Sequence, residues 1–290
     1  MGITEKFANL CSNLRMSGAT VDKVAKRYKA ITQRLNSDFR GINSETAYSR
    51  YVGSYGRGTA IHVSDIDMLY ILPYEIYVRY NSYSSNGQSA LLQAIKSSIK
   101  KTYPLTDIGG DGQVVKVGFC DDVYFEVVPC FLNKDNQSYT YPDSNNGGSW
   151  KITNPIPEID AINDLNNRTN KNLKRLCRMA RAWKETHDVP MGGLLIDTLA
   201  HRFLSSWAHN QESFLWYDYM TRDFFKYLSD EDDTKSYWCA VGSGQYIYPR
   251  GRFAAKAKQA YNAAINAISN EEKDEWWANY YWRQIYGTKF

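Results

Sequence analysis

The chain is poor in several features that would each name a function. No apolar run approaches the ~20 residues needed to cross a bilayer. The five cysteines (Cys11, Cys120, Cys130, Cys177 and Cys239) are scattered and contain no C-x-x-C pair, which argues against a zinc site or a disulfide scaffold and fits a reducing compartment. Cys177 falls at an apolar helical position and reads as core. The four histidines (His62, His187, His201 and His209) form no metal-ligand or triad pattern, and His62 reads as structural. There is no internal repeat and no low-complexity segment. Neither sign of charge prevails: with 35 basic and 31 acidic residues the net charge is +4, so bulk charge alone does not point to nucleic acid. The opening "MGITEKFANLCSNL" lacks a signal peptide's apolar region and cleavage site. It begins Met-Gly, but Lys6 stands where a myristoylation signal needs Ser or Thr. A cytoplasmic protein without a membrane partner is expected.

What is present is a chain of 290 residues, 43% hydrophobic and 23% charged, long enough for one large domain or two moderate ones. Basic residues gather in two blocks. "TVDKVAKRYKAITQR" (20–34) carries Lys23, Lys26, Arg27, Lys29 and Arg34, and "KNLKRLCRMARAWK" (171–184) contains no acid. Val21, Val24, Tyr28, Ile31 and Leu35 recur at helical spacing and predict a long helix over 20–36, with Ser17 or Thr20 as cap. "IDMLYIL" (66–72) reads as a strand buried on both faces. "QVVKVGF" (113–119) and "VYFEVVPCF" (123–131) read as a hairpin joined through Cys120-Asp121-Asp122. Residues 134–156, rich in Asn, Ser, Gly and Pro, read as a long loop, of which 134–154 is a candidate nucleotide lid. Helices are expected over 157–167, 170–187, 192–209, 212–228, 251–269 and 271–285. The front half is thus mixed α/β and the back half helical, which suggests two lobes with a cleft.

The informative stretch is "GSYGRGTAIHVSDIDMLYILP" (53–73). Residues i and i+2 of a strand share a face, so Asp65 and Asp67 project side by side. Two desolvated carboxylates repel unless a cation lies between them. Hard oxygen ligands suit magnesium, which binds through one or two carboxylates plus substrate phosphates. Glu126 is the candidate third acid, because it interrupts an apolar strand where an unpaired charge is costly. Upstream, Gly53-Ser54 followed by Gly56 and Gly58 can converge backbone N–H groups on a phosphate, with the Ser54 hydroxyl as a further donor.

The turn, the paired aspartates and the later acid resemble the signature of the polymerase-β-like nucleotidyltransferases. The longer pattern resembles the CD-NTases, the cGAS/DncV-like nucleotidyltransferases of bacterial SMODS type, through "GSYGRGTAI", "SDID", "GDGQVVKV", "FEVVPCF", "YPDSNNGGSWKITNP" and "LKRLCRMARAWK" across roughly residues 15–270. The resemblance implies an α+β fold: a nucleotidyltransferase lobe with a mixed twisted sheet and a long spine helix (1–155), a helical lobe (156–290), and an active-site cleft between them. It implies condensation of ribonucleoside triphosphates into cyclic di- or trinucleotides or short linear oligonucleotides, with loss of pyrophosphate. The product would act on a separate effector in anti-phage (CBASS) signalling. Gly53 and Ser54 would bind the donor triphosphate. Asp65 and Asp67 would bridge two Mg2+ ions, for which Mn2+ can substitute, and Glu126 would complete the site at the attacking hydroxyl. Many relatives carry Asp in place of this Glu.

Relatives also place a basic residue of the 170–187 helix on the triphosphate, here Arg181 or Lys184. Leu173, Leu176, Cys177, Ala180 and Trp183 form that helix's apolar stripe. The basic helix 20–36 is a candidate surface for an activating RNA or DNA. The aromatic tail "DEWWANYYWRQIY" reads mainly as packing against the body or a partner. Competing readings are a linear-polymerising or protein- or RNA-modifying nucleotidyltransferase, and an inactive nucleic-acid-binding relative.

Overall fold

The computed structural model describes residues 1–61, 65–121 and 123–290. Helix α1 (Ile3–Asn13) is followed by the long helix α2 (Gly18–Arg40), strand β1 (Ser49–Tyr51), the short helix α3 (Gly53–Arg57) and strand β2 (Asp65–Ile71). Helices α4 (Tyr74–Asn81) and α5 (Gly87–Thr102) precede β3 (Asp107–Asp111), β4 (Val114–Gly118), β5 (Tyr124–Leu132), β6 (Tyr139–Asp143) and β7 (Ser149–Thr153). Then come α6 (Ile156–Arg168), α7 (Asn172–Thr186), α8 (Gly193–Ser206) and α9 (Tyr217–Asp230). A small hairpin of β8 (Trp238–Cys239) and β9 (Tyr246–Ile247) leads to α10 (Ala254–Asn270) and α11 (Glu275–Tyr286). This is the α+β architecture expected from the sequence. His62 and Asp122, both singled out above, lie outside the described residues.

The chain divides into two compact units. A sheet unit comprises 16–56 and 63–156, and a helical unit comprises 1–15, 57–62 and 157–290. The last break falls between residues 156 and 157, while α1 and the stretch beginning at Arg57 join the helical unit.

In the sheet unit the strands run β1-β2-β5-β4-β3, and β6 pairs with both β5 and β7. Only the β2–β5 pair is parallel among the described strands of this sheet. Ile66, Met68, Phe125 and Val127 are fully buried and share a core with Val24, Tyr28, Ile31 and Leu35 of α2 and with Leu91, Ile95 and Ile99 of α5. Each such side chain contributes about 1.5–3 kcal/mol on burial. The helical spacing of α2 is therefore its packing face, although Val21 at its start stays 40% exposed. The Ser17 hydroxyl accepts the Thr20 N–H at 3.1 Å, and Gly41 ends the helix in the left-handed conformation (φ 65).

The region expected as a long loop is instead largely the β6–β7 hairpin, paired from Tyr139↔Thr153 to Asp143↔Ser149. Its polar residues sit mostly at the turn, where Asn146, Gly147 and Gly148 have positive φ, while Trp150 packs on Tyr77 and Phe131. The strand pairing makes this segment a hairpin and not an irregular loop.

The helical unit has its own core, centred on Trp183, Tyr217, Phe224, Phe225, Trp282 and Tyr286. Phe7 of α1 enters it, with its ring 5.1 Å from that of Trp282. The aromatic tail splits by helical face. Ala278, Trp282, Ile285 and Tyr286 are buried, whereas Trp276, Trp277 and Tyr280 are exposed.

Candidate active site

The buried alternation of β2 fixes which way its acids point. Ile66 and Met68 face the core, so Asp65 and Asp67 occupy the opposite face, Asp65 exposed and Asp67 half-buried. The parallel register sets Asp67 directly beside Glu126 of β5, and Asp65 beside Tyr124. Paired residues on neighbouring strands share a face, so the three carboxylates named from sequence lie on one side of the sheet.

The glycine turn lies over this face. Val52 donates its N–H to the Asp67 carbonyl at 2.9 Å, ending the β1–β2 ladder. The chain then turns through Gly53 at φ 59, where a Cβ would stand 1.8 Å from Asp67 Oδ2. Only glycine permits both the left-handed conformation and this approach. Ser54 follows in α3.

Lys116 is a neighbour that the sequence did not single out. It pairs with Glu126 across β4–β5 and sets its ammonium 3.6 Å from Glu126 Oε1 and 2.6 Å from Asp111. Hydrogen bonding to Asp111 and the Glu126 charge raise its pKa. The acidic face thus already draws a cation. Its donors are all carboxylate oxygens, the chemistry that suits magnesium. As placed, the carboxylate groups do not converge: among the described residues no three acidic, histidine or cysteine side chains are gathered closely enough to hold a metal ion.

In the helical unit, α7 buries the expected stripe of Leu173, Leu176, Cys177, Ala180 and Trp183. Arg181 is buried with it, at 7% exposure, and spends its guanidinium inside the protein. It donates to both Asp197 oxygens, to the Gly193 carbonyl at 3.1 Å and to the Cys177 carbonyl at 3.3 Å. Lys184, one turn on, is half-buried and its amine makes no hydrogen bond or ion pair among the described residues. Arg178 donates to the Gly58 carbonyl at 2.9 Å, and Lys174 donates to Asn163 Oδ1 at 2.6 Å.

Asp197, fully buried in α8, joins Arg181 to Arg57 and Thr59; of these four, sequence reasoning singles out Arg181 alone. Arg57 Nε donates to its Oδ2 at 2.8 Å, Thr59 Oγ1 to the same oxygen at 2.9 Å, and Arg181 caps the other side. Burial opposes the charge, but Arg181 and Arg57 outweigh it and hold the Asp197 carboxyl down at about 2. Arg57 also lies 3.5 Å from Glu158 of α6, whose carboxyl burial pushes up. The available signal was the single acid in the apolar run "GLLIDTLA", since a lone buried charge requires a partner.

The basic face of α2 is more neutral than its sequence. Arg27 and Lys23 share Asp121, Arg34 pairs with Asp38, and Lys29 lies 3.8 Å from Glu45. Among the described residues no helix is long and apolar enough to cross a membrane.

The mixed sheet with its helices is the fold of solved CD-NTase structures. Escherichia coli MS115-1 CdnC, solved with ATP, is similar at a TM-score of 0.67 and 15% identity, over 99% of this chain and 98% of that one. CdnG of Bradyrhizobium diazoefficiens, solved with GTP, gives 0.68 at 10% identity, over 97% and 94%. The Vibrio cholerae di-nucleotide cyclase DncV gives 0.64 at 16% identity, over 99% and 80%. These likenesses establish the fold. The chain belongs to the SMODS family, the Second Messenger Oligonucleotide or Dinucleotide Synthetase domain, whose model matches residues 1–166. It is accordingly a nucleotidyltransferase of the cyclic-oligonucleotide synthase family. No curated protein matches the chain at a significant level.

Proposed function

We propose that the chain condenses ribonucleoside triphosphates into a cyclic di- or trinucleotide messenger, with release of pyrophosphate, and that this messenger acts on a separate effector in anti-phage signalling. The observation that carries the reading is the position of Asp67, between the Gly53 turn and Glu126. That closeness supports reading the turn as a phosphate binder that works with the acid face.

In this reading the Gly53–Ser54 turn holds the donor phosphates through backbone N–H groups and the Ser54 hydroxyl. Asp65, Asp67 and Glu126 are the residues that would hold the cations, Glu126 on the acceptor side. Bound there, two magnesium ions, or manganese in their place, would neutralise the phosphates and lower the pKa of the acceptor hydroxyl. The protein's part is to position and to stabilise charge. The acceptor 2′- or 3′-oxygen bonds to the α-phosphorus, the α–β anhydride bond breaks, pyrophosphate leaves and the hydroxyl proton passes to water. A further transfer closes the ring. Glu126 reaches one methylene further than the Asp of many relatives and keeps carboxylate chemistry. Of the two α7 candidates, Lys184 takes the triphosphate role, because the Arg181 guanidinium is committed to Asp197.

The test is incubation with magnesium and all four ribonucleoside triphosphates, alone and with RNA, DNA or phage extract. Pyrophosphate and a phosphatase-resistant product are expected. No pyrophosphate under any of these conditions would refute the reading, and a phosphatase-sensitive product would make the enzyme a linear polymerase.

A further inference from the structure

The stretch after the glycine turn is fastened far more heavily than a surface connection needs. Arg57 is 5% exposed, Thr59 and Asp197 are fully buried, and Arg181 and Glu158 are 7% and 4% exposed. Two guanidinium groups and two carboxylates balance there. Glu158 is held in turn by the Ser243 hydroxyl at 2.8 Å and by Gln245 at 3.4 Å, from the loop between β8 and β9. Gly58, at φ 69, leaves its carbonyl to Arg178 and packs on the Lys174 side chain, which a Cβ would meet at 3.0 Å. Three successive residues, 57 to 59, are thus gripped by side chains of α6, α7 and α8.

Arg57 is also the last residue of α3, and α3 begins with Gly53 and Ser54. A helix of five residues has little internal cohesion, so its geometry depends on what holds its ends. The first end lies against Asp67, and the last end is clamped on Asp197.

We infer that Asp197 is a positioning residue for nucleotide binding, acting through Arg57 to hold α3 and hence the Gly53–Ser54 turn in its phosphate-binding conformation. Arg181 serves the triphosphate indirectly in this scheme, by fixing and charge-balancing Asp197. The inference rests on the reading of Gly53–Ser54 as the phosphate binder, but its structural part can be tested without any product.

The experiment compares the full chain with two variants. Arg57→Lys keeps the charge but loses the planar fork that reaches Asp197 and Glu158. Met220→Ala removes a fully buried side chain of the same unit, remote in sequence from the clamp, and serves as the stability control. Amide hydrogen exchange over residues 54–57 is read first, where Gly56 donates its N–H to the Val52 carbonyl at 2.8 Å. Exchange there should quicken about tenfold in Arg57→Lys and stay at the wild-type rate in Met220→Ala. The KM for ATP, read by pyrophosphate release, should rise about tenfold in Arg57→Lys and change less than about twofold in Met220→Ala. Unchanged exchange over 54–57 in Arg57→Lys would overturn the inference whatever the activity. Quickened exchange with an unchanged KM would overturn the link to nucleotide binding. Quickened exchange in a protein whose wild type makes no pyrophosphate would refute the proposed function and leave the clamp standing.

Discussion

Gly53→Ala concentrates the argument into one methyl group. The added Cβ has two effects. It holds an L side chain at φ 59, which costs about 1–2 kcal/mol. It also falls 1.8 Å from Asp67 Oδ2, where ordinary contact needs about 3.4 Å, so turn and carboxylate must separate by roughly 1.5 Å. The atom that the Cβ meets is the end of the Asp67 side chain and not backbone, so a shift of that carboxylate relieves part of the clash. A loss of about 1–2 kcal/mol lowers the melting midpoint of a chain this size by roughly 2–8 °C. Function should suffer far more, because a misplacement of about 1 Å in a positioned group costs about 10²-fold in rate. Pyrophosphate release at saturating nucleotide, measured beside a thermal melt, gives both numbers. A variant folded like the wild type and retaining activity within about threefold would refute the reasoning. It would show that the close approach of turn and carboxylate has no part in catalysis.

Asp67→Asn and Glu126→Gln each remove a carboxylate charge while keeping the side-chain size, and should lower product formation by about 10³-fold or more with little change in melting; wild-type turnover in either would remove that residue from the site. Arg181→Ala leaves Asp197 short of a partner in the interior and should destabilise the chain by about 3–5 kcal/mol, whereas Lys184→Ala should leave the melt unchanged and weaken ATP binding measured by calorimetry. Asp218 is buried near Glu271, and burial lifts its carboxyl to about 6. Its unfolded value is about 3.9, so the stability it contributes is present below pH ~4 and is lost as pH rises through about 6. Asp218→Asn should therefore raise the melting midpoint at pH 8, by up to roughly 2 kcal/mol in stability relative to pH 4.5, and equal shifts at the two pH values would contradict the assignment.

Much of the acid face could be read from sequence because its signals are local. Alternation in "DIDMLYI" sets Asp65 and Asp67 on one face, and Glu126 betrays itself as a charge inside "VYFEVVPCF". The helices were legible where apolar spacing met a cap, as in α2. The β6–β7 hairpin was hidden because its turn is long and polar and Pro142 sits within a strand. The burial of Arg181 was not legible because it is four residues from Cys177, on the edge of an apolar arc wider than its five most apolar members suggest. Its neighbours Met179 and Ala182 are buried too. The Arg57–Asp197 pair spans 140 residues, and no periodicity reports on a partner that distant.

The order in which the helical unit receives its parts has a consequence for synthesis. Phe7, Leu10 and Leu14 are made well before most of the side chains that bury them, which lie beyond residue 157. At about 5–20 residues per second, those apolar groups wait roughly 7–30 s for their partners. The stretch beginning at Arg57 waits for Asp197 in the same way. Cutting the gene at the 156/157 break would give a second half without Phe7, Arg57 and Thr59, its core and its buried charges both incomplete. Supplying residues 1–15 in trans as a peptide would restore the first deficit and leave the second, so the two halves are expected to recover a native fold only when they are made as one chain.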